Sequence, residues 1–523
     1  MIYSALREMA LEIAKSGVAD KREVARIKKR IARKYSLSTI PSDADVLRAV
    51  KGEKLYDTLR EILRTKPVRT ISGVAVVSVM TSPAPCPHGK CIPCPGGVEF
   101  NTPQSYIGFE PAAQRGRQHN YDAFEQVTAR LRELKEIGHD VDKVEIIVMG
   151  GTFPARDDGY KKRFILGIYS ALNSFESEER HYSNLEEAKR DNERARARCV
   201  GMTFETRPDY AREEHVIEML RFGGTKVELG VQSVYDEVLQ RIQRGHSVQD
   251  VMNATKRLRD SAFKVGYHIM PGLPGSDFEK DLRMFKILFE NPDFRPDYLK
   301  IYPTLVVKGT RLYEMYERGE YRPYTTEEVV ELIARAKKYI PEYVRIQRIQ
   351  RDIPVDKAIG LDKGNIRQIV HERLKELRYS CRCIRCREAG HKLGNYVEED
   401  FEEVLREYRA GNGKEFFISF EDINREVLVG FVRLRFPDKP FIDVLENTAL
   451  IRELHVYGKA VGIGLKDRNA FQHRGFGERL LSMAEEIAKE RYDRIAVISG
   501  VGVREYYRKQ GYIKEFEYMV KRL

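Results

Sequence analysis

The sequence predicts a multidomain chain of class α/β and α+β. A basic helical region over 1–70 precedes a partial β/α barrel over 71–360, a small cysteine-bearing module over 361–395 and a mixed α+β domain over 396–523. Three observations predict this. The 523 residues exceed what one core organises. Short apolar, β-rich runs alternate with helical periodicities through the middle of the chain, which argues for a parallel sheet. Beyond about residue 396 the texture changes to long strands around one helix.

In the first region, "KREVARIKKRIARK" (21–34) carries eight Lys or Arg in fourteen positions, with Val24, Ile27 and Ile31 at helical spacing. It reads as a solvated helix face or as an arm that displaces counterions from RNA. A second basic helical pattern spans about 332–348. The formal charge of +12 permits a nucleic-acid partner without requiring one. The barrel strands are "SGVAVVSVM", "VEIIVMG", "CVGMTFET", "KVELGVQ", "KVGYHIM" and "YLKIYP", six in all, with helical segments such as 121–138 and 247–263 between them. The last domain reads as strands "EFFISFE", "VLVGFVRLRF" and "LIRELHVYG", a helix over about 475–490, then "RIAVISG" and "VREYYRKQGY". With 42% hydrophobic and 33% charged residues the composition is that of a globular protein. No run reaches the roughly 18 apolar residues of a membrane span, and the first residues lack a signal peptide's layout, so a cytoplasmic location is expected.

Six of the seven cysteines fall in two triplets, a pattern that favours metal or redox chemistry over disulfides. Cys86, Cys91 and Cys94 follow the first strand, where a β/α barrel carries its chemistry. Three thiolates can hold a [4Fe–4S] cluster by three irons, leaving the fourth for the amine and carboxylate of S-adenosylmethionine (SAM). A half-built zinc site is the competing reading. Gly150 and Gly151 end the second strand, where bare backbone can approach the SAM methionyl group. Glu205 ends the third, as a candidate ribose or amino-group ligand, and Gln232 ends the fourth. Cys381, Cys383 and Cys386 need a fourth ligand for tetrahedral zinc, and His371 and His391 both qualify. A surface basic segment with buried thiols is the alternative. Cys199, within a strand, reads as core.

Near the end, Gln472, His473, Arg474, Gly475, Phe476 and Gly477 form Q-x-x-G-x-G at the start of a helix, a cradle for a pyrophosphate. The order of these elements resembles the GNAT acetyltransferase family, and that resemblance implies a tyrosine near the thioester sulfur, able to protonate a leaving thiolate, at Tyr506 or Tyr507; the sequence does not choose between them.

The order of these features resembles the radical SAM superfamily, with an atypical cysteine spacing, followed by the GNAT acetyltransferase family. The motifs "CIPCPGG", "TPQSYIGFEPAAQR", "VMGGTF", "ETRPDY", "ELGVQSVYDEVL", "YPTLVVKGT", "RIQRDIP" and "RELHVYG" resemble the family of Elongator catalytic subunits, in an archaeal-like single-chain form. The resemblance implies a tRNA-modifying enzyme with a [4Fe–4S] cluster, SAM, acetyl-CoA and zinc. In that scheme a deoxyadenosyl radical takes a hydrogen from the acetyl methyl group. The carbon radical adds to the 5-position of the wobble uridine in the anticodon stem-loop, and thioester hydrolysis leaves a carboxymethyl group. Lys264 and other lysines at the barrel mouth are acid–base or RNA-contact candidates. Association as a homodimer or with accessory subunits is also implied. A protein lysine acetyltransferase with a structural barrel and a tRNA-binding scaffold are the alternatives.

Overall fold

The computed structural model describes residues 2–523 apart from 18–19, 65–69, 71–72, 393–400 and 458–474. Four helices, Ile2–Ser16, Lys21–Lys34, Asp43–Ala49 and Leu55–Leu63, form the N-terminal bundle. Met9, Ile13, Val24, Ile27, Ile31 and Leu59 fill its centre. Asp20 and Ser42 cap the second and third helices, supplying acceptors for otherwise unpaired first-turn N–H groups. The basic helix is only partly free. Lys21 and Lys28 pair with Asp43, Lys34 with Glu8 and Arg30 with Glu12. Arg22, Arg26, Lys29 and Arg33 are exposed. Arg60 and Arg64 dock the bundle by donating to the Gly138 carbonyl at 2.9 and 3.1 Å.

The barrel holds seven parallel strands in sequential order, β1 (Ala75–Met80), β2 (Lys143–Met149), β3 (Arg198–Thr206), β4 (Lys226–Gln232), β5 (Lys264–Ile269), β6 (Tyr298–Ile301) and β7 (Arg345–Arg348). Six were expected. The basic helical pattern at 332–348 accounts for the difference: its helix ends at Ala336, Pro341 follows, and the arginine-rich end is β7. Val227, Leu229 and Val231 of β4 face the covering helices, whereas Lys226, Glu228 and Gln232 point the other way, as the two-residue period demands. The inward face is therefore ionic. Lys226 Nζ lies 2.6 Å from Glu145 and 3.6 Å from Glu228, and Lys300 bridges Glu228 and Glu205, the latter at 3.1 Å.

The C-terminal domain is a seven-stranded sheet: β8 (Glu402–Ala410), β9 (Gly413–Asp422), β10 (Val427–Phe436), β11 (Thr448–Val456), β12 (Arg494–Val497), β13 (Ile513–Glu515) and β14 (Tyr518–Arg522). Their order is β13-β14-β12-β11-β10-β9-β8. Among the described residues only β11 and β12 of this sheet pair in parallel, and their pairing stops at Ile451 and Val497. Beyond that point β11 runs on to Val456 without β12 beside it, which opens a cleft in the sheet. Helix Phe476–Lys489 packs Phe476, Leu480, Leu481 and Ala484 onto Phe416, Phe420 and Ile451. Among the described residues no helix is long and apolar enough to cross a membrane.

An ion network seals the barrel to this domain. The barrel supplies Arg259, Asp260 and Asp297; the C-terminal domain supplies Glu415, Arg433, Arg435, Arg452 and Glu453. All eight are buried, with one net negative charge from the barrel face and one net positive from its partner.

Candidate functional sites

The cysteine loop leaves the C-terminal end of β1. Glu205, Gln232 and Gly151 reach the same space from the ends of β3, β4 and β2, and with Cys86 they line a recess of about 160 Å³. Gly150 and Gly151 adopt φ of +119° and +103°. A Cβ on Gly150 would come within 2.2 Å of Thr81 Oγ1, whereas one on Gly151 would meet nothing within 4 Å. Gly150 thus packs the turn and Gly151 leaves the opening. Glu205 accepts from Tyr106 Oη at 3.0 Å and pairs with Lys300. Gln232, at φ +68°, ends its strand in a bulge that turns it into the recess. His268, Tyr302, Arg207, Arg244 and Arg348 also line it, and sequence reasoning missed them. For four of them the signal was present, since His268, Tyr302, Arg207 and Arg348 lie at or just beyond a strand end; Arg244 lies past the helix that follows β4.

The two triplets differ in geometry. Among the described residues, Cys381, Cys383 and Cys386 bring their sulfurs within 4.8 Å of one another, the compactness a single tetrahedral ion needs; Cys86, Cys91 and Cys94 do not form such a set. Sulfurs that stand apart suit a cluster, where each thiolate binds a different iron. Burial pushes the Cys94 thiol up to about 11 and raises that of Cys86, so both need a metal's charge to ionise near neutrality. Burial, with Arg207 and Arg244, holds His88 down at about 4, leaving a neutral ring beside Cys91.

In the second triplet, hydrogen bonds from Cys381 and Cys386 hold the Cys383 thiol well below the ordinary range. His371 comes up from helix Ile366–Glu376 to place Nε2 4.0 Å from Cys386 Sγ. Burial lowers its pKa to about 4, so its lone pair is free. His391 lies in helix Ala389–Lys392, and its side chain is outside the described residues.

A cavity of about 660 Å³ separates the barrel from the C-terminal domain. Lys143, Arg198, Lys226, Lys264, Tyr298 and Arg345 line it, and each is the first residue of its strand. Lys264 therefore faces the N-terminal mouth of the barrel, at the end opposite the cysteine loop, and burial holds its pKa below the usual lysine value. From the other side come His455, Ile498, Ser499, Tyr506 and Tyr507, around the cleft where β11 and β12 part. Gln472, His473 and Arg474 lie outside the described residues. Gly475 is the left-handed N-cap of the helix, at φ +79°. The Phe476 side chain is buried in the core against Phe420, so at most its backbone serves a phosphate. A Cβ on Gly477 would lie 3.2 Å from Tyr506 Oη, so this glycine gives the phenol its room.

A cysteine-loop β/α barrel joined to a split-sheet domain with a glycine-capped helix defines the class: a radical SAM barrel coupled to a GNAT domain. Residues 84–286 match the radical SAM superfamily, 296–376 the radical SAM C-terminal domain, 382–512 the acetyltransferase (GNAT) family and 2–71 the ELP3 N-terminal domain. The tRNA uridine(34) acetyltransferase of Methanocaldococcus infernus is 49% identical over 96% of this chain and 96% of its own length. Elongator complex protein 3 of Homo sapiens is 43% identical over 96% and 93%. The solved archaeal M. infernus Elp3, lacking its residues 1–46, superposes with a TM-score of 0.76 at 45% identity, covering 87% of this chain and all of that one. The chain belongs to the tRNA uridine(34) acetyltransferase and Elongator complex protein 3 family.

Proposed function

We propose that this protein modifies the wobble uridine of tRNA, drawing a carboxymethyl group for the uracil 5-position from acetyl-CoA. The observation that supports this most is the cavity between the domains, because Tyr506 there faces the N-terminal mouth of the same barrel whose opposite end carries the cysteine loop. Cys86, Cys91 and Cys94 are the residues that would hold a [4Fe–4S] cluster, which when bound supplies the electron for radical formation from SAM. Gly151 admits the SAM main chain, and Glu205 and Gln232 are placed to receive its polar groups. In the other domain the N–H groups at the start of helix Phe476–Lys489 meet the pyrophosphate of acetyl-CoA. Tyr506 keeps its proton for the leaving thiolate. Lys264, whose pKa burial lowers, is the acid–base candidate on the barrel side. The exposed Arg22, Arg26, Lys29 and Arg33 suit a phosphate backbone. The eukaryotic relatives are named as components of a complex, and association with accessory subunits or a second copy, in the cytoplasm, belongs to the same reading.

The test is anaerobically reconstituted protein with SAM, acetyl-CoA, a reductant and tRNA, followed by mass analysis of the nucleosides. Carboxymethyluridine at the wobble position, lost in Cys94→Ser, is the expected result. Acetyl-lysine with no altered uridine would overturn it in favour of a protein acetyltransferase, and neither product would leave only a scaffold.

Zinc in the second triplet is part of the proposal, with His371 as the fourth ligand. Elemental analysis should find zinc in the parent protein, retained in His391→Ala and largely lost after dialysis of His371→Ala against a chelator. Zinc retained equally in both variants would exclude the assignment.

A further inference from the structure

His88 sits between the first two cysteines of the loop after β1, and its surroundings fix which nitrogen carries the proton. The Arg207 guanidinium has no acceptor, and its Nη1 lies 2.7 Å from His88 Nδ1 and 2.8 Å from the Arg244 carbonyl. Nδ1 is therefore the acceptor, which puts the ring proton on Nε2. Nε2 lies 3.0 Å from Cys91 Sγ. Arg207 is itself held by Asp209, which accepts from Nε and Nη2 at 2.9 Å each. The ring has little freedom to turn away. Gly245, at φ +77°, lies so close that a Cβ there would come within 2.8 Å of His88 Cβ and 3.1 Å of the ring. Arg244 adds a cation 3.7 Å from the same sulfur and is anchored by its donation to the Gly230 carbonyl at 2.8 Å. Asp209, Arg207, His88 and Cys91 thus form one directed chain of hydrogen bonds ending on a thiol that has been read as a cluster ligand.

We infer that His88 is a positioning residue for the iron–sulfur centre: its Nε2–H donates to the Cys91 sulfur, fixes that ligand's direction and raises the cluster's reduction potential. The inference rests on the reading of Cys86, Cys91 and Cys94 as the cluster ligands. A reduced cluster is the more negative state, so a donor on a ligand sulfur stabilises it more than the oxidised state. Asp209 and Arg207 act one step further out by keeping the imidazole in the tautomer that can donate.

The experiment is an EPR-monitored redox titration of the reconstituted full-length protein, with iron and sulfide content measured alongside. His88→Leu removes the donor at similar bulk. It should keep its iron while the reduction equilibrium shifts about tenfold towards the oxidised cluster, a fall of about 59 mV for one electron. Arg207→Met should shift it in the same direction by less, and His88→Gln, which keeps an N–H donor, should remain nearer the parent. An unchanged potential in His88→Leu with full iron content would overturn the inference. If the leucine variant loses iron, the glutamine variant decides: restored iron and potential support the hydrogen bond, and equal loss overturns it. A parent protein that takes up no iron would instead sink the reading of the cysteine loop itself.

Discussion

Asp297→Asn should destabilise the protein by about 3–5 kcal/mol, the range for removing one partner of a fully buried ion pair. Asp297 accepts a two-pronged contact from Arg452 at 2.7 Å on each oxygen and the Val265 N–H at 2.8 Å, with Arg259 at 3.4 Å and Arg433 at 3.5 Å. An amide there leaves those arginines as buried cations with less countercharge, the costly configuration. Burial alone would raise the carboxyl's pKa, but Arg259, Arg452 and Arg433 outweigh it and hold the acid far below its ordinary value. Glu415 and Glu453 are lowered in the same way. A depressed folded-state pKa gives stability that is fully present above the unfolded value, near about 3.9 for Asp, and lost as pH falls towards the folded one. Urea denaturation followed against pH should therefore show a stability that falls below about pH 5, with a shallower fall in Asp297→Asn. Removing the exposed Arg318–Glu320 pair should leave the urea midpoint where it is. An Asp297→Asn midpoint equal to the parent's would show that the network does not hold the domains together.

What could be read from the sequence was local. The cysteine loop, the glycine pair and the tyrosine pair are short motifs whose chemistry depends on near neighbours, and the strands carrying them announce themselves by apolar runs. The ion network has no such signature. Arg452 lies 155 residues from Asp297, and each of the eight residues looks like an ordinary surface charge until the two domains meet. The ionic barrel interior was hidden for a related reason, since "KVELGVQ" shows its Val and Leu while Lys226 and Glu228 occupy the alternate positions. Strand β8 was missed because "EEVLREYRA" does not alternate: Leu405 lies exposed and Arg406 half-buried, so the two-residue period is hidden in the sequence. Lys264 was expected at the barrel mouth, and only topology tells which of the two mouths it lines. It opens β5, so it faces the GNAT domain, opposite the cysteine loop. Phe476 carries the opposite lesson: the sequence offers it as part of a candidate phosphate motif, while its side chain belongs to the core.

Tyr506→Phe should lower thioester turnover by about 10²–10⁴-fold, the usual contribution of a positioned general acid, while Tyr507→Phe should stay within a few-fold of the parent. The two neighbours occupy different environments. Tyr507 is buried in the domain core, edge-on to Tyr512 at 5.7 Å and 68°, where removing a hydroxyl changes little of the packing. Tyr506 lies at the rim of that core, its Oη enclosed and without a hydrogen-bond partner among the described residues. A buried hydroxyl without a partner is costly, and its retention here is explained if a bound thioester sulfur supplies the acceptor. Gly477 leaves the space in front of it, at the helix start proposed above to meet the CoA pyrophosphate. Burial, with a contribution from Glu478, raises the phenol to about 12, so it remains protonated throughout the physiological range. A proton kept that tightly passes to a thiolate only as the C–S bond breaks, which ties release of CoA to cleavage. Free-thiol release from acetyl-CoA in the presence of tRNA measures the effect. 5′-Deoxyadenosine formation from SAM, measured in the same reactions, separates a lesion in this domain from one in the barrel. If Tyr507→Phe proves the slower variant and both keep the parent's thermal midpoint, the proton donor is the inner tyrosine, and the cavity rim only encloses the substrate.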